Sequence, residues 1–123
     1  MQPLSPEEFE GHVADALDAL PAELVAGFDN VVVVVEDEHP DEPDLLGLYE
    51  GIALTEREHY TGALPDRISL YRIPLCLLAE DLDHLLEEIQ VTVVHEFAHH
   101  MGIDEDRLHQ AGLGLAAGTS RSG

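Results

Sequence analysis

His95-Glu96-Phe97-Ala98-His99-His100-Met101-Gly102-Ile103-Asp104-Glu105-Asp106-Arg107-Leu108-His109 is the stretch on which the reading of this chain depends. It begins with H-E-x-x-H. On an α-helix, residues four apart stand one turn above each other on the same face. His95 and His99 can therefore both reach one metal ion at about 2.0–2.1 Å, the nitrogen distance zinc prefers. Glu96 is rotated too far to be an easy third ligand. It can still reach a water on the metal, where a general base belongs. The same spacing on an exposed helix can also bind nothing, but two features decide against that here. Leu82, Leu85, Leu86, Ile89, Val93 and Phe97 recur at helical spacing. At about 100° per residue, His95 and His99 project away from that stripe, with Glu88 and Thr92. Gly102 then suits the position just past a helix end, where the chain adopts φ > 0.

A catalytic zinc usually has three protein ligands and a water. In the pattern H-E-x-x-H-x-x-G-x-x-H the third ligand stands three residues after the glycine. That position is Glu105, with Asp106 and His109 as rivals. Asp104 reads as a cap or a solvated charge.

The chain has 123 residues, 45% of them hydrophobic, which suits one globular domain with one modest core. We expect that domain to span residues 1–112, followed by a flexible tail at 113–123 where glycine and serine gather. No stretch approaches the roughly 20 apolar residues of a membrane span, so no membrane partner is expected. The opening Met1 to Glu8 lacks the basic and apolar regions of a secretory signal. A single cysteine, Cys76, allows no internal disulfide. Together these point to a reducing cytoplasm. Cys76 lies in the apolar run Ile73 to Leu78 and reads as a small core residue.

Five basic residues face 26 acidic ones, for a formal charge of −21. Nucleic-acid binding needs a basic footprint and is disfavoured. The acidic balance reads first as a solvated surface. It also sets up a field that draws metal ions and cationic peptides. Oligomeric state is not legible in the sequence.

Ser5-Pro6-Glu7-Glu8 is a helix start, with Ser5 as N-cap, Pro6 at N1 and Glu8 completing a capping box. Phe9, Val13, Ala16, Leu17 and Leu20 continue that helix, and Pro21 ends it or opens a short turn through Leu24 and Val25. Val31 to Val35 is too β-branched and short for a helix. It reads as a strand buried on both faces and central in its sheet. Residues 36–44 form an acidic, proline-broken loop. Leu45 to Tyr49 and Ile52 to Thr55 read as short strands around Glu50-Gly51, and Arg57 to Asp66 as a loop. Ile68 to Arg72 alternates as a strand with two unlike faces. Leu75 to Ala79 reads as a short helix. Asp81 caps the long helix from Leu82 to about Met101. His12 reads as a surface or packed histidine and His84 as a surface one.

With these elements in hand, the sequence resembles the minimal zincin-like metallopeptidases of bacteria. The match runs from about Phe9 to Gly112. It rests on Val31–Val35 with Glu36-Asp37, on Leu46-Gly47-Leu48-Tyr49, on Tyr60 to Ile68 and, most strongly, on Val93 to His109. The resemblance implies an α+β minimal zincin-like fold, a short mixed or antiparallel sheet packed against an N-terminal helix and an active-site helix. It implies zinc held by His95, His99 and an acidic third ligand, which Glu105 supplies. It also implies Glu96 as catalytic base in hydrolysis of a peptide or protein substrate. The chain departs from the metzincin pattern in placing a carboxylate where that pattern has histidine. It also has no methionine downstream of the motif's glycine for a Met-turn. In zincins generally an edge strand pairs with the substrate backbone. Ile68–Arg72 is the expected strand, with Ile68 along it and Tyr71 or Arg72 binding the oxyanion. The competing expectation is a metal-binding domain without peptidase activity that serves as a protein-interaction module.

Overall fold

The computed structural model describes residues 1–28, 31–51 and 65–101, the last two of them as backbone only. Helix α1 runs Pro6–Asp18 and short helix α2 Ala22–Ala26. The Ser5 hydroxyl oxygen accepts from Glu8 N at 3.2 Å, satisfying one of the first-turn donors. The return half of the capping box differs from the expected one. Here the Glu8 carboxylate takes the Ser5 hydroxyl at 3.0 Å. Phe9, Val13 and Ala16 carry α1 into the core.

Strands β1 (Val31–Glu36), β2 (Gly47–Glu50) and β3 (Asp66–Tyr71) form one mixed sheet in the order β1-β3-β2. β1 pairs parallel to β3, with Val33 opposite Ile68, and β2 pairs antiparallel, with Leu48 opposite Ser69. The valine run was expected at the sheet centre, but among the described residues β1 stands at an edge and Val32 is 41% exposed. β-branched content favours a pleated surface and does not encode position within the sheet. The centre belongs to β3, where Ile68, Ser69, Leu70 and Tyr71 are all buried. Its two faces are therefore alike in burial, contrary to the alternation expected of it. The expected strand Ile52–Thr55 lies outside the described residues, as do residues 113–123.

The chain then turns straight into helix α3 (Arg72–Leu78). Pro74 falls in its first turn, where a missing N–H costs no intrahelical bond. Helix α4 (Leu82–Met101) is the longest element, with 20 residues. Asp81 caps it as expected, its carboxylate accepting from His84 N at 2.8 Å. Leu85, Ile89, Val93 and Phe97 form the buried stripe of α4 in a shared core with Phe9, Val13, Ile68 and Leu70. Gln90 ties α4 to α1 by donating to Ala16 O at 2.9 Å. Among the described residues no helix is long and apolar enough to cross a membrane.

Candidate metal centre and active site

The last two turns of α4 carry His95, Glu96 and His99. Helical rise places the two imidazole-bearing residues one turn apart along one side. His95 is half-buried and His99 exposed. The side of α4 that projects away from the apolar stripe is itself covered for most of its length, since Glu88, Thr92 and Glu96 are buried. The cover over Thr92 and Glu96 is β2. A Cβ placed on Gly47 would stand 2.6 Å from Thr92 Cγ2, so the absence of a side chain there lets strand and helix meet.

Glu96 is 4% exposed, and its Oε1 accepts the main-chain N–H of Tyr49 at 3.1 Å. Burial pushes the Glu96 carboxyl above its ordinary range, while the Tyr49 N–H and nearby His99 pull it partly back. Tyr49 is fixed in turn by its hydroxyl, which donates to Asp66 Oδ2 at 2.8 Å. Sequence spacing gave no sign of Tyr49, because the contact joins residues 47 apart. The sequence traces are the glycine two positions earlier in the strand and the resemblance carried by Leu46 to Tyr49.

His95 and His99 are two nitrogen donors of the kind zinc takes, and their spacing fits one ion. Among the described residues no group of three or more His, Cys, Asp or Glu is gathered to hold a metal. The expected third ligand Glu105 and its rivals Asp106 and His109 lie outside those residues.

The expected substrate-binding residues Ile68, Tyr71 and Arg72 are engaged within the fold. β3 is paired on both sides, so its backbone has no free edge for a substrate strand. Ile68 is 0% exposed in the core. Successive strand residues point to opposite faces, so Tyr71 lies on the sheet face opposite Ile68 and Leu70. Those two share their face with Gly47 and Tyr49, the pair that meets α4. The buried Tyr71 ring packs edge-on to His39, with ring centroids 5.8 Å apart. Arg72 donates to Leu4 O at 2.6 Å and to Asp37 Oδ1 at 2.8 Å, fastening the N-terminal segment and the acidic loop. Neither side chain serves the Glu96 site. The alternating pattern at 68–72 marked a strand correctly and hid its central place.

His84 is more than a surface residue. Its Nδ1 accepts from Glu80 N at 3.0 Å, which leaves the proton on Nε2 to face buried Glu88 Oε1 at 3.3 Å. Cys76 is free and buried, as its apolar surroundings predicted.

These features can be set beside known proteins. A conserved hypothetical protein from T. thermophilus superposes with a TM-score of 0.50 over 87% of this chain and 97% of its own. At 23% identity that likeness speaks for the fold alone. No curated protein matches the chain. The sequence profile of the zincin-like metallopeptidases matches residues 28–115, a span that takes in the whole sheet, α3 and α4. An α+β chain with a small mixed sheet, a helix bearing H-E-x-x-H and that profile across most of its length belongs to the zincin-like metallopeptidase family.

Proposed function

We propose that this chain is a zinc-dependent peptidase in which Glu96 is the general base. The observation that supports the reading best is the placement of Glu96. Its carboxylate is buried beside the two-histidine turn and held against the β2 backbone by Tyr49 N–H. His95 and His99 would hold the metal, with Glu105 as third donor. Zinc, when bound there, supplies a Lewis acid that polarises a carbonyl and acidifies water. Glu96 accepts the proton from the attacking water and delivers it to the departing amide nitrogen. Tyr49 N–H fixes one carboxylate oxygen, so the other carries that proton.

The substrate-pairing strand in this reading is β2. Tyr71 N donates to Leu46 O at 3.0 Å, so Leu46 and, by alternation, Leu48 and Glu50 turn their backbone groups toward β3. Gly47 and Tyr49 then turn theirs outward, to the edge on which Glu96 sits. An extended peptide laid along that edge would bring its carbonyls beside the base. The free, buried Cys76 suits a reducing cytoplasm.

Digestion of a broad peptide library by zinc-loaded protein tests the proposal. Cleavage that Glu96→Gln abolishes is the expected result. Cleavage that survives Glu96→Gln, or none by the wild type, overturns it. The burial of Glu96 also favours a second reading, a metal-binding interaction module whose base is closed off. That reading predicts zinc uptake without cleavage of any library peptide.

A further inference from the structure

β1 ends the sheet on one side, and among the described residues nothing pairs with its outer edge. Exposed edges are ordinarily blunted by lysine, proline, a bulge or an inward charge. Val31 to Val35 has no such residue, and Val32 is among the exposed large hydrophobics. Between this strand and α1 runs a groove of about 480 Å³. Val13, Leu17, Val33 and Val35 give it an apolar lining, with Glu10 and exposed Ala14 beside them. Helical spacing puts Glu7 and Asp18 in line with Glu10 and Ala14, and α1 has no Lys or Arg.

We propose that this edge and groove form a docking site for one extended segment of a partner protein in which apolar residues alternate with Lys or Arg. Main-chain pairing to β1 would add a fourth strand to the sheet. With a period of two, one set of its side chains would enter the groove against Val13 and Leu17. The other set would lie on the opposite face beside Val32 and Glu36. The acidic wall of α1 and the chain's formal charge of −21 select a cationic partner. The same charge disfavours a second copy, which would set two acidic α1 helices against each other.

The test uses a fluorescent, end-capped peptide of ten residues alternating valine and lysine, titrated by anisotropy into the full chain at about 0.15 M salt. Two N-methylated forms accompany it, one blocked at the valine amides and one at the lysine amides. A strand offers one set of amides to each edge, so one blocked peptide should lose binding while the other keeps it. Ala14→Arg, which fills the groove from an exposed helix position, should weaken binding by at least about tenfold. Asp15→Arg removes more negative charge from the neighbouring position and should change it by less than about threefold. Equal binding of the two blocked peptides, or equal loss in the two variants, would show attraction by charge alone and overturn the proposal. So would failure of the wild type to bind, or a wild-type dimer that Ala14→Arg dissociates. The blocked-peptide comparison leaves the protein untouched and decides the matter should Ala14→Arg fold poorly.

Discussion

The main-chain N–H of Tyr49 donates to Glu96 Oε1 at 3.1 Å, joining the outer strand of the sheet to the helix that carries both histidines. This one bond links fold to chemistry. It holds the carboxylate of the H-E-x-x-H motif at the strand edge where the proposed peptidase would pair its substrate. Replacing Glu96 by glutamine keeps an oxygen for Tyr49 and removes the proton acceptor. In the proposed peptidase, Glu96→Gln should lower kcat by roughly 10²–10⁴-fold with the far-ultraviolet circular dichroism spectrum unchanged. A loss of folded signal in step with activity would show a structural role only.

Burial of Glu96 also predicts how stability varies with pH in the metal-free protein. Its carboxyl is raised above 4.5, with desolvation the largest cause. The folded chain therefore binds this proton more tightly than the unfolded chain. That contribution is present below the unfolded pKa and is lost as pH rises through the folded one. Glutamine has no charge to bury. In a chelator, Glu96→Gln should melt above the wild type at about pH 7, with the gap closing near pH 4. A gap of constant size across that range would contradict the assignment.

Gly47 is where β2 and α4 come closest. A methyl group there would meet Thr92 Cγ2 at 2.6 Å and Ser69 O at 3.1 Å. Gly47→Ala should cost about 1–3 kcal/mol by overpacking, read from denaturant melts. Adding Thr92→Ser removes the nearer clash and keeps the hydroxyl that donates to Glu88 O at 2.7 Å. The double variant should recover part of the loss. Strict additivity of the two changes would mean that strand and helix do not press on each other at this point.

Helix caps, the stripe of α4 and the H-E-x-x-H turn were legible in the sequence because they are local. Ser5, Pro6 and Asp81 act within a turn of themselves, and helical periodicity exposes Leu85, Ile89, Val93 and Phe97. The order of strands was not legible. Val31–Val35 looked central and Ile68–Arg72 looked like an edge, and the structure reverses both. Pairing depends on which strands the helices cover, and β3 has β1 and β2 on its two edges and α3 and α4 in contact with it. The anchor on Glu96 was hidden for a related reason, since a backbone N–H carries no side-chain signature.

Arg72 distinguishes the proposed β2 site from the one the sequence suggested. It binds Leu4 O and Asp37 and is turned to the N-terminal segment. Arg72→Met should lower Tm, with the part-buried bond to Leu4 O worth about 1.5–3 kcal/mol and the solvent-exposed one to Asp37 less than about 1 kcal/mol. It should leave kcat/KM of the proposed peptidase within about twofold of wild type. A drop of several hundredfold in turnover by a stably folded variant would restore Arg72 to the site.

Two histidines one turn apart sharing an ion carry the proposed chemistry, and metal content tests that most directly. Elemental analysis of protein purified without an affinity tag or chelator should find about one zinc per chain, as for other sites of this ligand type. The metal should be retained in Glu96→Gln and lost in His99→Ala. Wild-type protein with no zinc after exposure to it, or His99→Ala with a full equivalent, would contradict the claim.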